Sequence, residues 1–123
     1  WTPLMTGSSA NPAGQSGTGY YTKIGRAVSI TGINFVSNVT SFNGNAIITG
    51  LPFTCASGNG YSTPCSTGET TNITFADMIA VEVQNNTTTI TLREMTNGGV
   101  GSSITHADFS ATSTLTFACT YYV

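Results

Sequence analysis

A two-residue alternation of apolar and polar side chains limits what this chain can fold into more than any other feature. Over residues 114–122, Leu115, Phe117, Cys119 and Tyr121 fall in one phase, while Thr114, Thr116, Ala118, Thr120 and Tyr122 fall in the other. Successive side chains of an extended strand point to opposite faces, so the pattern buries one face and leaves the other polar. The same period runs through residues 77–94. Ile79, Val81 and Val83 alternate with Ala80, Glu82 and Gln84, and Ile90 and Leu92 alternate with Thr89, Thr91 and Arg93. Between these runs Asn85 and Asn86 tolerate positive φ angles, which predicts a hairpin with a two-residue turn. No stretch longer than about ten residues carries the 3.6-residue helical period, and single turns are expected only at 75–78 and 106–109.

Earlier segments follow the same rule. Val28 and Ile30 alternate with Ser29 and Thr31, Tyr21 and Lys23 belong to the segment before them, and Gly25 marks a turn between two strands. Ile33 and Phe35 are one residue out of phase with Val28 and Ile30, which predicts a bulge or bend at Gly32. Residues 41–44 form a turn, and the apolar segment 45–53 ends at Gly50 and Pro52. Residues 1–19 are mostly Gly, Ser, Thr, Asn and Pro without a period, and are expected to form an extended arm or linker before a β-domain over 20–123. Six to eight short strands with frequent turns predict an all-β fold, a two-sheet antiparallel sandwich.

Composition decides between this fold and disorder. Charged residues are 7% of the chain, against about 25% in an ordinary domain, and Ser plus Thr make up roughly 30%. Disordered chains combine high net charge with few aromatic and β-branched residues. Here the net charge is -2 and aromatics reach 10%, which suits half-buried strands. Lys23, Arg26 and Arg93 are the three cations and form no basic stripe, so nucleic acid is not an expected partner. No apolar run reaches bilayer length, and membrane insertion is not expected. A sparsely charged surface favours association, and the opening Trp1 suggests a piece of a longer polypeptide.

Glycan cleavage needs two carboxylates flanking one bond, whereas Glu69, Asp77, Glu82, Glu94 and Asp108 lie in different segments. His106 and Asp108 offer at most two metal ligands where catalytic zinc takes three from the protein, so a turn or cap is the expected role and no metal or cofactor is expected. No nucleophile elbow occurs. The glycine-rich pieces 14–19, 58–60 and 98–101 lack the strand-to-helix setting and lysine of a phosphate cradle. The chain is therefore not expected to be an enzyme.

Cys55 and Cys65 bracket a Gly-, Asn- and Ser-rich loop, either as an oxidised pair that staples it or as two free thiols. Cys119 shares the phase of Leu115 and Phe117 and is expected to be a small buried residue. Sequons stand at Asn38, Asn72, Asn85 and Asn86, and matter only in a secretory pathway. Asn59 and Tyr61 at the crest of the 55–65 loop are the candidate binding residues, because loops carry function on rigid β-scaffolds and Tyr61 offers an apolar ring with a polar end.

The succession of short motifs adds a family likeness. The chain opens Trp1-Thr2-Pro3, passes through a Gly/Ser/Thr segment to Gly19-Tyr20-Tyr21-Thr22-Lys23-Ile24-Gly25-Arg26, and continues to Gly50-Leu51-Pro52-Phe53. It then reaches His106-Ala107-Asp108-Phe109 and a strand closing on Tyr121. This order resembles small β-sandwich domains in tail fibres, head fibres and related appendages of tailed bacteriophages. The resemblance implies a jelly-roll-like sandwich that forms a homotrimer without cofactor, contacts other virion proteins, and works in the virion as a fibre or tip domain that recognises a host-surface glycan or receptor. A capsid decoration or head-fibre protein with a purely structural role is the alternative. A cellular carbohydrate-binding module fits the fibre-like opening less well. The family carries no fixed receptor motif, so no binding residue transfers from it.

Overall fold

In the computed structural model, which describes residues 1–9, 15–36, 43–58 and 62–123, the chain is almost entirely antiparallel β-structure. The strands are β1 (Leu4–Gly7), β2 (Gln15–Ser16), β3 (Thr18–Ile24), β4 (Ala27–Val36), β5 (Ala46–Thr49), β6 (Thr63–Ile73), β7 (Met78–Val83), β8 (Ile90–Met95), β9 (Gly101–Ser103) and β10 (Phe109–Tyr122). They form one sheet in the order β2-β1-β5-β8-β7-β6-β10-β4-β3, with β9 beside β8. A short 3-10 turn, His106–Asp108, leads into β10.

The two ends of that path, β2 and β3, are consecutive in the chain and separated only by Gly17. Leu4 and Met5 pair with Ser16 and Gln15, while Thr18 and Gly19 pair with Ile33 and Gly32. The ladder runs on past the junction, because the Gly17 N–H donates to Pro3 O at 2.7 Å and the Gly19 N–H to Trp1 O at 3.0 Å. The Trp1 nitrogen donates back to Gly19 O at 2.9 Å. One extended segment therefore holds both edges of the sheet, which nearly closes into a barrel. Glycine is required at the junction: a Cβ on Gly17 would lie 1.9 Å from Ile33 O.

This closure replaces the expected two-sheet, jelly-roll-like sandwich with a barrel-like arrangement, and the physical reason is the removal of free edges. The expected arm at 1–19 is, over its described residues, part of the sheet. Met5 is fully buried, and alternation is hard to see there because the strands are only four and two residues long.

Inward-facing residues match the alternation where the sequence showed it. Leu115, Phe117, Cys119 and Tyr121 of β10, Ile79, Val81 and Val83 of β7, and Ile90 and Leu92 of β8 all lie in one core with Val28, Ile30, Met5 and Ile48. The β7–β8 hairpin has the expected phase, with Val83 opposite Ile90. Its connection is longer than a two-residue turn: the Gln84 N–H donates to Thr89 O at 2.9 Å, and of the two Asn residues only Asn86 takes a positive φ, 61°.

Gly32 is not a bulge. The β4–β10 register runs unbroken from Ala27 opposite Tyr122 to Val36 opposite Ser113. Gly32 occupies an inward position opposite Phe117, where a Cβ would sit 2.6 Å from the ring's Cζ. The apparent phase slip arises because the ring of Phe117 fills the space that a side chain at position 32 would take. Trp1 meets the same ring edge-on, with centroids 6.3 Å apart.

The turn expected near His106 is present, and the one at 75–78 is not helical. The Asp108 carboxylate accepts both the Thr105 N–H at 2.8 Å and the Thr105 hydroxyl at 2.9 Å, which is the capping role expected of it. Asp108→Ala is expected to lower stability by about 1 kcal/mol, the usual value of a lost cap, read as a shift of the urea midpoint at unchanged slope.

Candidate functional site

The cysteines follow neither of the two expected arrangements, a Cys55–Cys65 staple or two free thiols. Cys65 on β6 is bonded to Cys119 on β10, with Cα atoms 4.5 Å apart, and Cys55 is a buried free thiol. Strand register overrides closeness in sequence: Ser66 pairs with Ala118 and Thr67 with Phe117, so Cys65 falls opposite Cys119. That spacing suits a directly opposed antiparallel pair. Cys119 is buried as its phase implied, but as half of a bridge. Asn59 and Tyr61 lie outside the described residues.

Around Cys55 the chain is tied down by backbone bonds, from its N–H to Thr87 O at 2.9 Å and from the Asn86 N–H to its own carbonyl at 3.0 Å. Burial pushes its thiol up from the ordinary 9.0, partly offset by a hydrogen bond with the Thr63 side chain. Burial also raises the Tyr121 phenol, offset by its bond to Phe53 O and reinforced by Cys55. A group whose pKa is raised by folding adds stability below its unfolded value and loses that contribution as the pH climbs through the folded one. Stability should therefore fall above pH 9, and fall less in Cys55→Ala, when urea midpoints are compared at neutral and alkaline pH.

All five carboxylates are held by local hydrogen bonds. Glu69 accepts the Thr71 hydroxyl at 2.9 Å, Asp77 the Asn97 N–H at 2.7 Å, and Glu82 the Ser62 hydroxyl at 2.8 Å. Glu94 accepts the Ala76 N–H at 2.9 Å and the Ser102 hydroxyl at 2.8 Å, and Asp108 caps the turn at Thr105. No cluster of three or more His, Cys, Asp or Glu side chains suited to a metal occurs among the described residues.

A different feature stands out on the outside of the barrel. The faces of β3, β4, β10 and β6 that point away from the core carry a direct cross-strand row, Tyr20–Thr31–Ala118–Ser66. Flanking it are the rows Thr18–Ile33–Thr116 and Thr22–Ser29–Thr120, the latter closed by a 2.9 Å bond between the Ser29 and Thr120 hydroxyls. A groove of about 440 Å³ lies over the first two rows, with Tyr20 along one side and Ser66, Thr67 and Gly68 along the other. Its lining residues include no charged side chain. Tyr20 is 74% exposed.

The shape of the groove follows from small residues. Ala118 leaves the floor low, and Gly68 brings β6 against Thr116, where a Cβ would meet the threonine Oγ1 at 2.5 Å. This lets Thr116 Oγ1 accept the Glu69 N–H at 2.6 Å and produces the register shift between β6 and β10. The cations lie elsewhere, occupied with carbonyls: Lys23 with Gly25 O at 2.6 Å, Arg26 with Val123 O at 2.7 Å, and Arg93 with Gly101 O at 3.4 Å.

Comparison with known proteins finds no matching family model, no matching curated protein and no matching solved structure.

What the groove can do chemically is bind. It offers hydroxyl donors and acceptors, small apolar contacts, the exposed ring of Tyr20 and the buried ring of Phe117, and no acid, base or nucleophile pair among its lining residues. Sequence reasoning did not single out these residues. The signal was present in the second phase of β10, where Thr114, Thr116, Ala118 and Thr120 include no charge on a face expected to meet water. What hid the site is β6, whose sequence TPCSTGETTNI has no apolar alternation.

Proposed function

We propose that this chain is a virion appendage domain, at the tip of a bacteriophage fibre, that recognises the surface of the host cell. The observation that carries the reading is the outward face of β3, β4, β10 and β6, with its exposed Tyr20, its rows of Thr and Ser, and its lack of charge. Monomeric domains ordinarily cover such a face with charged side chains, and aromatic rings with neutral hydrogen-bonding groups suit ligand surfaces. The bridge between Cys65 and Cys119 adds support, because such bonds persist outside reducing cytosol. Assembly as a homotrimer belongs to the same reading and rests on the sparse charge. Capsid decoration remains the second reading, favoured by the same uncharged surface if it meets a neighbouring virion protein.

The test is retention of the labelled, purified domain on cells of a bacterial strain panel, with mass by light scattering in parallel. Saturable retention on particular strains, and competition with phage adsorption there, is the expected result. Absence of retention on every strain, together with binding to purified capsids, would favour decoration.

A further inference from the structure

We infer that the groove across β3, β4, β10 and β6 is a binding site for neutral oligosaccharide, with a pyranose ring stacked on Tyr20 and the chain of sugars running across the strands. The inference deepens the recognition reading and rests on it.

Three observations select this ligand class. First, the hydroxyls of Thr18, Thr31 and Thr67, all exposed, line the groove and make no hydrogen bond among the described residues. They stand ready to exchange bonds with a ligand that both donates and accepts, as sugar hydroxyls do. Second, Tyr20 presents its ring beside Thr31, directly opposite in register. An exposed aromatic ring beside polar groups pairs with the apolar face of a pyranose and leaves the sugar's rim to the hydroxyls. Third, no charged side chain is among the residues that line the groove, and the cations Lys23, Arg26 and Arg93 are bonded to carbonyls of residues outside it. A uronic acid, sialic acid or phosphate placed there would find no cationic side chain among the lining residues to compensate its charge.

The row from Tyr20 to Ser66 crosses four strands, about 14 Å at the ~4.8 Å strand spacing, which accommodates several sugar units. A second copy of the chain is the competing occupant. A sugar carries a hydroxyl on most of its ring carbons to pair with these wall hydroxyls, whereas a protein surface must set a polar group against each one or leave it buried without a partner.

The experiment is calorimetric titration of the intact domain with a panel of neutral oligosaccharides, built from glucose, galactose and rhamnose, and acidic ones containing uronic or sialic acid. Binding to members of the neutral set and not the acidic set is expected. Tyr20→Ala should weaken it at least tenfold, Tyr20→Phe by less than threefold because the ring is kept, and Thr31→Val by three- to tenfold. Since Tyr20 and Thr31 are exposed, urea midpoints should stay unchanged, which separates loss of binding from loss of fold. Preference for acidic sugars, or undiminished binding by Tyr20→Ala, overturns the site. So does a fall in oligomer mass in Tyr20→Ala, which would make the face an interface between copies. A domain that binds cells but none of the oligosaccharides also overturns it and leaves the recognition reading standing. A domain that binds neither overturns both.

Discussion

Phe117→Ala should destabilise the domain by about 3–5 kcal/mol, the cost of removing a buried phenylalanine ring together with the cavity it leaves. The upper part of that range is expected, because the surroundings have little with which to refill the space. Phe117 is 4% exposed, faces Gly32 across the β4–β10 pairing, and is held edge-on by Trp1. Glycine opposite the ring has no side chain to move in. The pairing also gives a cycle with a definite sign. Gly32→Ala alone should be destabilising, since its Cβ would stand 2.6 Å from the phenylalanine Cζ, yet the same change should cost little or nothing in the Phe117→Ala background. Additive losses in urea denaturation would show that the ring does not fill the position-32 space. Thr116→Ala, on the outer face, should cost about 1 kcal/mol through loss of its bond with the Glu69 N–H.

Loss of the Cys65–Cys119 bridge should have an effect of similar size. The bonded residues are 54 apart in sequence, and closing a loop of that length restricts the unfolded chain by about 4 kcal/mol in the chain-entropy account. The double change Cys65→Ser, Cys119→Ser should lower the unfolding free energy by that order. Dithiothreitol should lower the wild-type protein toward the same value and leave the double variant unmoved. Equal stability of oxidised and reduced wild-type protein would contradict the bridge. Cys55→Ser combined with intact Cys65 and Cys119 should keep the sensitivity to reductant, which distinguishes this pairing from a staple across the 55–65 loop.

Where a strand is long and one of its faces is buried, the local pattern was enough to place it. The inward sets of β7, β8 and β10, the turn at Gly25 with φ of 58°, and the end of β5 at Gly50 all follow from residues adjacent in sequence. Alternation is a statement about which side of the backbone each side chain takes, and that requires no knowledge of the partner strand. The capping role of Asp108 was legible for the same reason, since the groups it holds are three residues away.

Pairing in space was not legible. Cys55 is closer than Cys119 to Cys65 along the chain, but a disulfide requires opposed Cα atoms, and only the β6–β10 register supplies them. β6 itself was missed because most of its residues face solvent, which leaves no apolar period to read. Residues 1–19 gave no period either, since β1 and β2 are too short to show one, and their place in the sheet depends on backbone bonds to Gly17 and Gly19. The groove has the same origin: Tyr20, Thr31, Ala118 and Ser66 come from four strands and become neighbours only when those strands are laid side by side. The sequence by itself determined the all-β class and the phase of the long strands, because these depend on side chains within a few residues of one another, and the sparse charge of the surface, because charged residues are only 7% of the chain. The tertiary structure alone decided barrel closure, cysteine pairing and the candidate site, because each depends on register between segments far apart in the chain, and register is set by the packing of the whole core.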